Sequence, residues 1–229
     1  MSTVWFMVDD TDPRFNYTGT WSDLSFAEGS PVSQSITGPG YNNTWHYTTD
    51  NATVNFRFNG SSYLGVYGSL DNTGALEQDD VHARGNGTQL PDVSCFLDGR
   101  VIETVQLPQT IFPAHNIIMC RNRAESSNVS SFPGEHELEI NIKNLPNSTG
   151  WLFDYITFES LGNPTLNGEI LQAGNGLVNN GTNYSMLTFG PGWSVNPVVP
   201  MLLGELEPDG SRETGIPNSN ASVTFNGKC

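Results

Sequence analysis

Carboxylates, a few histidines and a set of alternating aromatics are the side chains of this sequence with chemistry to offer. Asp9, Asp10 and Asp12 crowd the stretch VDDTDPR, and Asp154 stands between Phe153 and Tyr155 in WLFDYITF. A carboxylate in such apolar company must face away from its neighbours or be paired, because burying it alone is costly. Two roles fit. Either Asp154 accepts backbone hydrogen bonds while the N-terminal acids cap a turn, or the acids meet around a ligand. Trp45 and Tyr47 share one face of the run WHYTT, with His46 on the other, and Trp5 and Tyr41 are further aromatics. A sugar ring needs an exposed aromatic face beside hydrogen-bonding side chains, whereas alternating aromatics of a sheet equally well make core. Tyr63 and Tyr67 also share a face and read as core.

Catalytic arrangements are missing. GSSYLG at 60–65 has its second Gly one place too late for a nucleophile elbow, and His136-Glu137 runs on into Leu138-Glu139-Ile140 without the second His of a zinc helix. The sequence has no P-loop and no Cys/His spacing suited to zinc. His46, His82, His115 and His136 stand outside any motif. The adjacent pair Asp79 and Asp80 is the one enzyme-like feature, as in an accessory fragment of an esterase or glycosidase. Acid/base work needs two carboxylates in different environments, and their loop reads as evenly wet. The residues therefore favour non-catalytic binding over an enzyme-associated fragment. A ligand-free spacer or sensor ectodomain is the blander alternative.

The elements that must position these residues are strands. Candidates recur between turn signals at 4–8, 14–18, 45–49, 52–58, 63–70, 94–98, 101–107, 115–120, 136–143 and 151–159, and no segment has a helical period. Short strands with Gly, Asn and Asp punctuation indicate an antiparallel sandwich. In LDGRVI, Asp98-Gly99 signals a type I′ hairpin turn. The segment 71–92 is an acidic, Gly-rich loop, and 161–185 reads as a linker.

Composition points outside the cell. The sequons at Asn16, Asn42, Asn51, Asn59, Asn86, Asn128, Asn147, Asn180, Asn183 and Asn220 exceed the about four expected by chance, and each reads as an exposed acceptor site for N-glycan in a secreted protein. Of three cysteines, Cys95 and Cys120 lie in strand-like runs flanking a third run, and Cys229 is left over. A Cys95–Cys120 bridge would close a loop that stabilises by roughly 3 kcal/mol. The opening MSTVWFMVDD is no signal peptide and no apolar run is long enough to span a membrane. The expectation is an extracellular or secretory-pathway protein whose leader is not in this chain. A net charge of −15 would be repelled by phosphate backbones and anionic lipid, which argues against nucleic acid as a partner.

An internal repeat organises the whole. FGPGW at 189–193 echoes YTGTW at 17–21, and NASVTF at 220–225 echoes NATVNF at 51–56. The order is kept, and the spacing from Trp to the second Asn is 30 residues in one copy and 27 in the other. The expected organisation is a complete β-sandwich module at 1–160, a linker at 161–185 and an incomplete second copy at 186–229. These echoed stretches, with SCFLDG, PGEHELEINIKN and WLFDYITF, resemble the extracellular modules of a family of basidiomycete secreted and single-pass membrane proteins. The resemblance implies an all-β, galactose-binding-like jelly roll, often in tandem. The favoured function is a non-catalytic binding module for carbohydrate, of a cell wall or a host, with Trp45 and Tyr47 or Trp5 and Tyr41 as platforms. In related carbohydrate-binding modules an acid near the N-terminus and the Asp of the last strand hold a structural Ca²⁺. By that likeness Asp9 or Asp10 with Asp154 would hold calcium here.

Overall fold

The structure, a computed structural model, describes residues 3–25, 40–70, 91–105, 114–122, 133–144, 150–161, 187–196 and 211–223. Asp79 and Asp80, the linker beyond Leu161, the sequons at Asn86, Asn128, Asn147, Asn180 and Asn183, and Cys229 lie outside these residues. The chain divides into two units. Strands β1 (Thr3–Asp9), β2 (Asn16–Thr18), β3 (Ser22–Ser25), β4 (Thr44–Thr48), β5 (Ala52–Leu70), β6 (Asp92–Leu97), β7 (Arg100–Val101), β8 (Glu103–Thr104), β9 (Ala114–Asn122), β10 (Gly134–Lys143) and β11 (Trp151–Leu161) build the first. Every pairing is antiparallel, and the one helical piece among the described residues is the 3-10 turn Tyr41–Asn43. The fold is an all-β sandwich.

Its two layers share one strand. The first half of β5 lies between β2 and β10, and β6 and β7 extend that sheet beyond β10. The second half lies between β9 and β11, with β8 beyond β9 and with β1, β4 and β3 beyond β11. The handover falls at Gly60, which is opposite both Gly134 and Ser160. A Cβ at Gly60 would collide with the carbonyl oxygen of Glu159, so only glycine lets the strands approach there. The sequence suggested two strands, 52–58 and 63–70, where the structure has one of 19 residues. The intervening NGSS looks like a turn locally, but it is where one long strand changes sheet.

Period-two alternation fills the space between the layers. His136, Leu138, Ile140 and Ile142 of β10 face inward while its glutamates face out, and Ala52, Val54, Phe56 and Phe58 of β5 do the same. Phe6, Val8, Ile156 and Phe158 meet them from the other sheet. Each such side chain contributes about 1.5–3 kcal/mol of burial free energy. Cys95 of β6 and Cys120 of β9 form the expected disulfide, with Cα atoms 6.2 Å apart. It joins the two layers through the core. The Asp98-Gly99 turn has both residues at positive φ, 52° and 73°, as a type I′ hairpin requires.

The second unit contains β12 (Leu187–Phe189), β13 (Ser194–Asn196), β14 (Ser211–Glu213) and β15 (Ala221–Val223). β12 pairs with β15, and β13 pairs with β14 inside that pair. The first unit nests its strands in the same order, β2 with β5 around β3 with β4.

Candidate ligand-binding site

Asp154 owes its position to a β-bulge. Phe153 faces Gly68 and Tyr155 faces Tyr67, so Asp154 is the extra residue of β11 and is freed from the ladder alternation. Its side chain is fully buried. Oδ1 accepts the backbone N–H of Tyr41 at 3.0 Å, and its carbonyl accepts the N–H of Asp10 at 2.8 Å. Oδ2 makes no hydrogen bond of ordinary geometry, and the Trp45 side chain lies near enough to act against the rise in the acid's pKa. Burial, with the nearby charges of Asp10 and Asp9 adding to it, pushes the Asp154 carboxyl up to about 9, so it is protonated at neutral pH.

Asp10 is the second buried acid. Its Oδ1 accepts from Thr44 Oγ1 at 2.8 Å, and its Oδ2 lies 2.6 Å from His46 Nδ1. Burial raises its pKa, and the hydrogen bonds from His46 and Thr44 act against that rise. The other ring nitrogen of His46, Nε2, lies 3.1 Å from Asp23 Oδ1 at the surface. Tyr17 stacks parallel on the imidazole at 4.1 Å and donates its hydroxyl to the carbonyl of Asp10 at 2.6 Å. Asp9, half-buried, accepts from Thr11 Oγ1 at 2.6 Å and from Asn42 Nδ2 at 3.2 Å. Asp12 caps a turn, gripped by the Arg14 guanidinium, which lowers its pKa.

The acids at the end of β1 and on β11 therefore meet, among hydrogen-bond donors. Calcium takes six to eight oxygens. Both oxygens of Asp10 and one of Asp154 are already engaged, and among the described residues no group of three or more His, Cys, Asp or Glu is placed to hold a metal ion. The arrangement braces the turn Tyr41–Asn43. Asn42 and Asn43 in that turn hold positive φ, 54° and 56°, which asparagine tolerates better than most residues.

The aromatic candidates separate. Trp45 and Tyr47 do share a face of β4, but they are 1% and 8% exposed and pack with Leu152 in a second small cluster. Backbone lies directly on both rings: a Cβ on Gly40 would collide with Trp45, and one on Gly150 with Tyr47. Trp45 donates its indole N–H to Ser69 at 2.8 Å. Neither ring can serve as a platform, which corrects the expectation for that pair. Trp5 pairs with Glu159 in β1, and its side chain is outside the described residues. Tyr41 is 39% exposed, its ring edge-on to Tyr155 at 5.8 Å. Trp21, which the sequence reading passed over, is half-buried, edge-on to Tyr17 at 5.2 Å, with exposed Asp23 two residues on. The Trp that ends YTGTW was visible as a repeat marker, but nothing local said its ring would stay accessible. The result is a connected strip, Trp21–Tyr17–His46–Asp10–Thr44–Asp9–Asn42–Tyr41, with partly buried Trp21 at one end and exposed Tyr41 at the other.

Asn16, Asn42, Asn51, Asn59 and Asn220, the sequons among the described residues, are all exposed. No helix among those residues is long and apolar enough to cross a membrane. No protein-family model and no curated protein matches the sequence. Among solved structures the chain is similar to the catalytic domain of a GH87 α-1,3-glucanase in complex with nigerose, at TM-score 0.39 and 10% identity over 71% of this chain and 29% of that one. It is similar at TM-score 0.39 and 13% identity to the Agl-KA catalytic domain, covering 72% and 30%. The chain thus spans less than a third of either. Likeness at that level leaves ligand and activity to be argued from this chain's own residues.

Proposed function

We propose that the protein is a non-catalytic extracellular module that binds carbohydrate, a cell-wall or host glycan, through the strip that ends in Tyr41 and Trp21. The observation that carries this reading is Tyr41. Among the described residues it is the most exposed aromatic, and its turn is fixed by Asp154, Asp9 and Asp10. A pre-set ring loses little freedom on binding, and Asp9 beside it supplies acceptors for sugar hydroxyls. Exposed sequons and a buried disulfide support the compartment.

A glycan array probed with the whole chain tests this. Binding that is lost in Tyr41→Ala, at unchanged melting temperature, supports the module. No binding to any glycan would favour a spacer, and release of product from a glycan or ester would make the protein an enzyme.

A further inference from the structure

The second unit repeats the frame that presents Trp21. In each nest of four strands a tryptophan stands immediately before the first inner strand, Trp21 before β3 and Trp193 before β13. Both are half-buried. Each donates its indole N–H to a main-chain carbonyl of the outer strand pair or the residue beside it, Trp21 to Thr18 at 3.1 Å and Trp193 to Asn220 at 3.0 Å. A glycine at positive φ precedes each, Gly19 at 102° and Gly192 at 91°, a conformation that L side chains rarely adopt. The turn that aims the indole is therefore set by backbone chemistry in both copies.

We propose that Trp193 is a second carbohydrate-contact position, the counterpart of Trp21, so that one chain carries two binding sites for a polymeric glycan. This rests on the carbohydrate reading of the first unit. The surroundings of Trp193 fit a sugar. Ile216, 58% exposed, lies against Gly192, and the exposed amide of Asn218 stands in the same turn region. That turn is braced from within: Thr214 Oγ1 donates to Ser219 Oγ at 2.9 Å, Ser219 donates to the Ile216 carbonyl at 2.9 Å, and the Ile216 N–H donates to Thr214 Oγ1 at 3.1 Å. An indole edge with an aliphatic neighbour suits the C–H face of a pyranose, and the Asn218 amide suits its hydroxyls. Where both sites engage one repeating polymer, affinity rises by about 10²–10⁴ without any new contact.

Calorimetric titration of the whole chain with tetrasaccharides of β-1,3-linked glucose, α-1,3-linked glucose and β-1,4-linked N-acetylglucosamine tests the proposal, alongside co-sedimentation with the matching insoluble polymers. The expected result is two tetrasaccharides per chain, falling to one in Trp193→Ala and restored in Trp193→Phe. Polymer binding should weaken at least tenfold in Trp193→Ala. One tetrasaccharide per chain in the wild type, lost in Tyr41→Ala and untouched in Trp193→Ala, overturns the second site and leaves the first-unit reading standing. Absence of binding to all three overturns both.

Discussion

At the scale of single residues, Asp154 is the most informative. An acid whose folded pKa lies above its unfolded one favours the folded state when protonated. That contribution is fully present below the ordinary carboxylate range and is lost as pH rises to about 9. Asp10 is raised by burial as well and acts in the same direction. Melting temperature should therefore fall steadily from about pH 5 to pH 9 in the wild type, with chelator present, and level off above. Asp154→Asn mimics the protonated acid and should show a shallower slope with little loss near neutral pH. If millimolar calcium instead raises the wild-type melting temperature and flattens its slope, while Asp154→Asn no longer responds, the cluster is a cation site and the hydrogen-bonded account of it is wrong.

Elements answer to different forces. The long β5 changes sheet at Gly60, where a side chain would meet the Glu159 carbonyl. Gly60→Ala should cost about 2–4 kcal/mol, since the obstruction is backbone and cannot rotate away. Chemical denaturation reads this directly, and a cost under 0.5 kcal/mol would mean that the strands separate there without penalty. Trp45→Ala offers the contrasting case. It removes the centre of the small cluster with Tyr47 and Leu152, so it should cost about 3–5 kcal/mol in stability. Sugar binding by the fraction that remains folded should be unchanged. Loss of binding at full stability would return Trp45 to the site.

For the whole molecule, the disulfide is the long-range tie. Cys95 and Cys120 sit on strands of different sheets, so their bond holds the layers face to face and also shortens the unfolded chain. Replacing both by alanine should lower stability by about 2–5 kcal/mol, measured by denaturant titration.

Much of this was readable one residue at a time. The strand of β10 is plain in GEHELEINIK because alternation of glutamate with Leu and Ile has one physical solution, a half-buried strand. The hairpin at Asp98-Gly99 and the recurrence of YTGTW as FGPGW are equally local. The meeting of Asp9 and Asp10 with Asp154 was expected only through the likeness to related modules, since no local pattern joins residues so far apart. What stayed hidden depends on contacts between distant segments. Parity placed Trp45 and Tyr47 together on a face, but only the backbone at Gly40 and Gly150 decided that the face is closed. The bulge that frees Asp154 arises from the register of β11 against β5, which no window of sequence contains. Sequence alone determined which residues alternate and where the chain turns, because those follow from backbone sterics and solvent preference within a few residues. Tertiary structure decided which aromatics stay open and which acids stay protonated, because exposure and local dielectric are set by whatever else folds on top.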